Sequence, residues 1–198
     1  VLETLRQPLE TGRVRLSRVR YAVEFPARVQ LVAAMNPCPC GQGGETCVCG
    51  PSEVQRYRAR ISGPLLDRID LLVRVHPAPW SDLQPGRASA PTSPGLRNDV
   101  LRARGLQRRR GVDSNAALEP KEVWRACSLP PPALGLLENA VERFRLSARG
   151  VHRVLRVART VADLAGSPRV EGDHLAEAVR MRMGSGASLP SDGRPVHN

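Results

Sequence analysis

The chain has 198 residues, of which 41% are hydrophobic and 25% charged, enough for one compact domain or two small ones. No apolar run approaches the roughly 20 residues that a membrane-spanning helix needs. There is no signal-peptide pattern at the start, so we expect a cytoplasmic protein. The net charge of +11 favours polyanionic partners, with nucleic acid first and nucleotide phosphates second.

The first 77 residues predict a mixed α/β unit. Apolar residues at helical spacing indicate a helix over residues 1–9, and residues 52–60 predict a second helix that Ser52 can cap. The strings VRLS and RYAVEF read as the two arms of a hairpin. RVQLVAAM, which ends before an Asn-Pro pair, reads as a buried central strand, and residues 70–75 read as a further strand.

The remaining residues predict a linker, a helical domain and a tail. Residues 78–95 are rich in Pro, Ser and Gly, as is typical of a linker between domains. Residues 96–183 carry apolar positions three or four apart, whereas the polar residues 184–198 are expected to be disordered. The five predicted helices cover residues 96–111, 120–127, 131–144, 147–165 and 171–183.

One lysine limits the chemistry of this chain. A P-loop places a lysine in Gly-Lys-Ser/Thr so that it reaches the β- and γ-phosphates. Lys121 is the only lysine here, and it lies between Pro120 and Glu122. We also find no apolar strand that ends in paired acids. Any ATPase chemistry must therefore use residues outside this segment, and we expect the chain to be inactive alone.

Three polar residues are candidates for contact with a nucleotide. Asn36 follows a predicted strand, where an amide can reach a γ-phosphate or simply start a turn. Arg68 ends a short predicted helix, where it can act as an arginine finger on a neighbouring subunit or pair with a nearby aspartate. Arg149 opens the longest predicted helix behind Ser147, although Arg149, Arg153, Arg156 and Arg159 would also form one solvated basic face.

The strings around these residues resemble a known family. FPARVQLVAAMNPCPCG, QRYRARISGPLLDRIDL and RGVHRVLRVARTVADL resemble magnesium-chelatase-like AAA+ ATPases of the ComM and YifB type, over roughly residues 1–183. The resemblance implies part of a P-loop NTPase-type AAA+ core followed by a helical lid. It also implies Asn36 as sensor 1, Arg68 as the arginine finger in trans, and Arg149 as the sensor 2 arginine.

The resemblance further implies partners and an activity. Family members bind ATP with Mg²⁺, form hexameric rings and, in ComM-like members, drive branch migration on DNA in transformation. Related subunits instead use ATP to insert magnesium into a porphyrin, and a DNA- or zinc-binding fragment without enzymatic activity is a further alternative. The family's P-loop and acidic motifs are missing here. Val1 is not an initiator methionine, so we expect a piece of a longer protein or a mis-started reading frame.

The hairpin resembles the pore insertion of AAA+ helicases, with Arg18 and Arg20 at or near its tip. Arginine suits phosphate contact because its planar fork binds two oxygens. A solvated edge strand is the alternative. The basic run from Arg102 to Arg110 lies on a predicted helix, where it either contacts DNA or forms a solvated face.

Four cysteines are close together in the sequence. Cys38 and Cys40 are followed, after six residues, by Cys47 and Cys49. Four thiolates can hold zinc tetrahedrally, but the single residue within each pair is shorter than the usual spacing. Free thiols in a flexible loop are the alternative. Cys127, the fifth cysteine, falls on an apolar helix face and is expected in the core.

Overall fold

The protein was analysed as a computed structural model that describes residues 2–18, 21–80, 84 and 91–183. The chain divides into two compact units, Val1–Ile69 and Asp70–Asn198. Arg20, the tail 184–198 and half of the predicted linker lie outside the described residues, so the expectations for them stay as predictions. Among the described residues, no helix combines the length and the apolar character needed to cross a bilayer.

The first unit contains short helices and one hairpin. A 3₁₀ turn over Leu2–Leu5 leads into the first helix. The elements that follow are α1 (Arg6–Thr11), β1 (Arg13–Arg18), β2 (Tyr21–Pro26), a 3₁₀ turn (Gly44–Thr46), α2 (Pro51–Arg58) and α3 (Gly63–Leu66). The predicted helix cap at Ser52 is wrong, because α2 starts one residue earlier with Gly50 in the capping position.

The predicted hairpin is confirmed. β1 and β2 pair antiparallel, with Arg13 opposite Pro26 and Arg18 opposite Tyr21. Side chains alternate between the faces of a strand. One face is therefore mainly apolar, with Leu16 opposite Val23, and Arg18 lies on it at the far end.

The predicted strands over RVQLVAAM and residues 70–75 are wrong for the described structure. Both segments lack regular secondary structure, and Val32 is 86% exposed rather than buried. A strand requires a partner that supplies a ladder of hydrogen bonds. Within the described ranges the only such ladder is that of the hairpin, and Leu72 N–H instead donates to the Met181 carbonyl oxygen at 2.7 Å. The described part of the chain is thus mostly helical with a two-stranded sheet, rather than a multi-stranded α/β core.

The second unit is helical, as predicted. Two helices have the predicted bounds, and the others begin or end within three residues of them. The helices are α4 (Ser93–Arg109), α5 (Pro120–Cys127), α6 (Pro131–Phe144), α7 (Ala148–Leu164) and α8 (Gly172–Met183).

Helix α7 lies at the centre of this unit and packs against α4, α5 and α8, while α6 packs on α8. Its buried apolar positions follow the helical repeat, so they form one stripe: Val154, Leu155, Ala158 and Ala162. Cys127 is fully buried in the same core, which confirms the expectation for this residue. Its thiol donates to the Leu155 carbonyl oxygen at 3.4 Å.

Two helices of this unit are capped at their N-termini by residues that adjoin them in the sequence. Glu119 and Glu122 form a capping box around Pro120 at the start of α5. Ser147 caps α7 as predicted, because its hydroxyl accepts from the Gly150 N–H at 3.1 Å. The start of α7 therefore follows from a residue next to it in the sequence.

Candidate functional site

Asn36 lies at the end of the irregular segment that follows the hairpin, and it is exposed. The cysteine loop folds back onto it. Gly41 has a left-handed backbone (φ 84°), and a Cβ at this position would lie 3.4 Å from Asn36 Nδ2. The turn at Gly41 therefore passes close to the Asn36 amide.

The structure brings the four cysteines of this loop together. Cys38 Sγ lies 3.2 Å from Cys40 Sγ and 3.5 Å from Cys47 Sγ, and Cys40 Sγ lies 3.9 Å from Cys47 Sγ. The ligand atoms of all four residues, including Cys49, lie within 4.8 Å of one another. The cluster has the donors and the spacing to hold a metal ion.

The environment shifts the thiols of this cluster in opposite directions. A backbone hydrogen bond at Gln42, supported by the neighbouring thiol of Cys38, lowers the pKa of Cys40 to about 6. Burial raises the pKa of Cys49 to about 12. Of Cys40 and Cys49, Cys40 is therefore the thiol that loses its proton at the lower pH.

Arg68 lies just after α3, and its side chain is only 9% exposed. Nη1 donates to the Pro64 carbonyl oxygen at 2.7 Å, and Nη2 forms an ion pair with Glu10 at the end of α1. Sequence analysis did not name Glu10, because 58 residues separate it from Arg68. The guanidinium is held in one orientation by a carboxylate of its own unit.

Arg149 lies in the first turn of α7, two residues after the capping Ser147, and is exposed. The exposed N–H groups and the dipole of a helix N-terminus attract anions. The position combines a helix start with a cationic side chain, both of which suit a phosphate.

The other three arginines of α7 do not form a solvated face with Arg149, and that expectation was wrong. Arg153 Nη1 donates to Asp70 Oδ1 at 2.6 Å. Arg156 donates twice to the Leu118 carbonyl oxygen, at 3.0 and 2.6 Å. Arg159 is fully buried. Helical spacing predicts which side chains are neighbours, but whether they meet water depends on the elements that pack on the helix.

Arg159 belongs to a buried polar network centred on Asp163. Arg159 Nε donates to Asp163 Oδ1 at 3.2 Å, and Arg110 Nη1 donates to the same oxygen at 2.8 Å. Asn115 Nδ2 donates to Asp163 Oδ2 at 2.8 Å, and Arg110 Nη2 contacts that oxygen too. The network was not predicted, because Arg110 and Asn115 lie 53 and 48 residues before Asp163. Its one local signal is the four-residue spacing of Arg159 and Asp163.

Part of the basic run from Arg102 to Arg110, at the end of α4, has partners inside the protein. Arg110 is committed to Asp163, and Arg104 Nη1 donates to the Asp113 carbonyl oxygen at 3.0 Å. Arg102 pairs with Asp99. These three arginines therefore have partners within their own unit.

The hairpin presents Arg18 at the end of β1, opposite Tyr21, which is 74% exposed. Arg13, at the other end of the strand, forms an ion pair with Glu24 instead. The second predicted hairpin arginine, Arg20, lies outside the described residues. The described end of the hairpin thus offers one guanidinium and one exposed aromatic ring.

Two family profiles match the chain in succession. "Magnesium chelatase, subunit ChlI" matches residues 1–83, which include Asn36, the cysteine loop and Arg68. "Magnesium chelatase, subunit ChlI C-terminal" matches residues 90–182, which include Arg149.

Curated relatives match over nearly the same range. The chain is 44% identical to "Competence protein ComM" of Haemophilus influenzae over 183 residues, which are 92% of this chain and 36% of that protein. It is 38% identical to "Uncharacterized protein YifB" of Salmonella typhimurium and 39% identical to the protein of the same name in Escherichia coli, each over 91% of this chain and 36% of the relative. The chain therefore spans about a third of the length of these relatives. With both family profiles matched in order, the chain belongs to the magnesium-chelatase-like family that includes the ComM and YifB proteins.

Proposed function

We propose that this chain is the nucleotide-sensing and arginine-donating part of an AAA+ ATPase, which works as a homo-hexameric ring on DNA. In this proposal residues 1–77 belong to the α/β core, residues 78–95 form a linker and residues 96–183 form the helical lid. The family match supports it, since the two profiles span Asn36, Arg68 and Arg149 in the order that the AAA+ architecture requires.

The residues present do not make a complete site for ATP with Mg²⁺. The chain's only lysine, Lys121, lies in the first turn of α5 and not in a Gly-Lys-Ser/Thr loop. The lysine for the phosphates and the carboxylates for the magnesium ion would have to come from residues outside this chain. Bound ATP would supply the phosphoryl group for hydrolysis, and this chain would contribute groups that bind and orient its phosphates.

The observation that carries the arginine role is the pairing of Arg68 with Glu10. A guanidinium held by one carboxylate is already oriented to bind paired oxygens, and phosphate oxygens of a neighbouring subunit can replace that carboxylate. Charge on the transferring phosphoryl group would then be stabilised in trans, a contribution that can reach several orders of magnitude in rate. Asn36 and Arg149 would contact the γ-phosphate within their own subunit.

The proposed DNA contact is the exposed end of the hairpin. Arg18 can bind backbone phosphates, and Tyr21 offers a face on which a base can stack. The name of the Haemophilus relative, a competence protein, fits a role in DNA uptake or recombination. Branch migration is the form of DNA movement that we propose.

A chelatase-type motor is the second candidate, because both family profiles carry the magnesium chelatase name. The two functions differ in their partner. A DNA motor binds DNA with an affinity that falls as salt rises, whereas a chelatase motor requires a metal–porphyrin partner protein. DNA binding that does not respond to salt would count against the DNA proposal.

The genomic DNA that precedes the Val1 codon provides the first test. A P-loop in the same reading frame is the expected result, and a frame without one would contradict an ATPase that contains this chain. The second test mixes Arg68→Ala subunits with subunits whose P-loop is inactivated. Where an Arg68→Ala subunit lies next to a subunit with an inactive P-loop, the intact P-loop of the first meets the intact Arg68 of the second. Partial recovery of ATPase activity is therefore expected in the mixture.

Arg58→Ala is the matched control for that experiment. Arg58 is an exposed arginine in the last turn of α2, in the same unit as Arg68. Its removal is expected to leave ATPase activity unchanged. Full activity in rings composed only of Arg68→Ala subunits would remove the role proposed for Arg68.

A further inference from the structure

The cysteine loop supports an inference that is independent of the ATPase proposal. We propose that Cys38, Cys40, Cys47 and Cys49 bind one Zn²⁺ ion as a tetrahedral tetrathiolate site. Zinc–sulfur bonds of about 2.3 Å in a tetrahedron place neighbouring sulfurs about 3.8 Å apart. The separations of 3.2, 3.5 and 3.9 Å between three of the thiols lie within about 0.6 Å of that value. The fourth ligand atom lies within 4.8 Å of the others.

The short spacing within each cysteine pair is compensated by the backbone between the pairs. The Gly41 N–H donates to the Cys38 carbonyl oxygen at 3.0 Å, so the chain turns directly behind the first pair. The 3₁₀ turn Gly44–Thr46 then reverses the chain, and the Cys47 N–H donates to the Gly44 carbonyl oxygen at 3.3 Å. The second pair is thereby returned to the first.

Glycine at position 43 is required for this reversal. Its backbone is left-handed (φ 64°), and a Cβ there would lie 2.8 Å from Pro37 Cγ. Pro37 precedes the first ligand, so a Cβ at position 43 would push the middle of the loop away from the first cysteine pair. The loop conformation with glycine at this position is the one that places four sulfurs around one centre.

Other uses of four thiols fit the geometry less well. All four are free cysteines, and their separations exceed the roughly 2.05 Å of a disulfide bond. An iron–sulfur cluster also takes four cysteines, but its inorganic core requires a wider cavity than a group of sulfurs within 4.8 Å of one another. A single tetrahedral ion with soft ligands is the best match, and zinc is the usual ion of such sites.

The position of the site gives the ion a structural role. The loop that it would close begins immediately after Asn36, and a Cβ at Gly41 would lie 3.4 Å from the Nδ2 of that residue. Cys38 is the anchor of the loop, since it is only 2% exposed. A bound zinc ion would fix the turn that lies next to Asn36, whatever that amide contacts.

Metal analysis of the purified 198-residue chain tests the proposal. The chain, expressed with zinc in the medium, is expected to contain about one equivalent of zinc. Replacement by Co²⁺ is expected to produce the intense visible bands of tetrahedral cobalt with thiolate-to-metal charge transfer in the near ultraviolet. Cys40→Ser and Cys47→Ser are each expected to lose most of the metal.

Cys127→Ala is the matched control, because Cys127 lies in the core of the helical unit and outside the cluster. It is expected to retain about one equivalent of zinc. Circular dichroism of the Cys→Ser variants checks that the helical unit stays folded. A wild-type chain without zinc or cobalt bands, a chain that contains iron in place of zinc, or zinc content unaffected by both Cys→Ser variants would each overturn the proposal.

Discussion

Arg159 and Asp163 lie one turn apart on α7, both fully buried, with Arg159 Nη2 3.0 Å from Asp163 Oδ1. The guanidinium also donates to the Ser167 carbonyl oxygen at 2.6 Å and the Pro168 carbonyl oxygen at 3.1 Å, where the chain leaves the helix. Arg110 reaches the same carboxylate from the end of α4. One carboxylate thus joins α4 to α7, and it pairs with two arginines, of which Arg159 also binds the loop that follows α7.

Asp163→Asn is expected to lower the free energy of unfolding of the helical unit by about 3–5 kcal/mol, because removing one partner leaves a buried charge uncompensated. An amide keeps the size of the side chain but not its charge. Urea unfolding followed by circular dichroism measures the change.

The control for this substitution is Asp99→Asn. Asp99 pairs with Arg102 on the exposed face of α4, in the same unit. Removing an exposed ion pair is expected to cost less than about 1 kcal/mol. Equal effects of the two substitutions would show that the buried network does not stabilise the unit.

Stability is expected to fall at acid pH through Asp163. Burial alone would raise the pKa of Asp163, but hydrogen bonds from Arg110 and Asn115 outweigh it and hold the pKa below its ordinary value of 3.8. The unfolded chain therefore binds a proton more readily than the folded chain. The contribution is fully present above about pH 5 and is lost as the pH falls through the unfolded value towards the lower folded value.

Urea unfolding at several pH values between about 2 and 6 measures this effect. The wild-type curve is expected to decline more steeply than that of Asp163→Asn, which has no carboxyl group to titrate. Parallel curves would assign the acid sensitivity to other groups.

Arg18→Ala is expected to weaken DNA binding and to reduce its salt dependence. Loss of one phosphate contact lowers the slope of log K against log salt concentration by about 0.7–0.9. Fluorescence anisotropy with a labelled oligonucleotide across a salt series measures the slope.

Arg125→Ala removes the same charge from an exposed position on α5 and is the control. It is expected to leave the slope nearly unchanged. If both variants changed the slope equally, the effect would come from net charge and not from the hairpin.

Gly43→Ala is expected to weaken metal binding by the cysteine loop about tenfold or more, since a Cβ at φ 64° and ψ 175° costs about 1–3 kcal/mol. The contact with Pro37 Cγ at 2.8 Å would add to this cost. Competition with a zinc chelator measures the affinity.

Gly50→Ala is the comparison, because Gly50 has a negative φ of −68° and a Cβ there would meet no atom within 4 Å. Its zinc affinity is expected to equal that of the wild type. Equal affinities for the two glycine variants would contradict the loop geometry without affecting the metal stoichiometry.

The helical half of this protein was predictable because its signals are local. Apolar spacing, Pro120 at the start of α5 and the Ser147 cap define helices from neighbouring residues alone. The hairpin was predictable for the same reason, since its two strands are adjacent in the chain.

The segments 28–35 and 70–75 were mispredicted because strand formation is not a local property. Their apolar and β-branched residues fit a buried strand, but a strand forms only where a second segment supplies hydrogen-bond partners. The composition of a segment shows its preference for a strand, but it does not show whether a second strand lies beside it.

The sequence by itself determined the family strings, the order of the helices, the lone lysine and the four cysteines in one loop. Only the tertiary structure decided which arginines are committed to internal partners. Arg68 pairs with Glu10 and Arg110 with Asp163, at separations of 58 and 53 residues. Such pairs depend on how distant segments pack, because the direction and burial of a long side chain follow from its neighbours in space. The turns within the cysteine loop likewise bring the four ligand sulfurs within 4.8 Å of one another, whereas their spacing in the sequence left zinc binding and free thiols as alternatives.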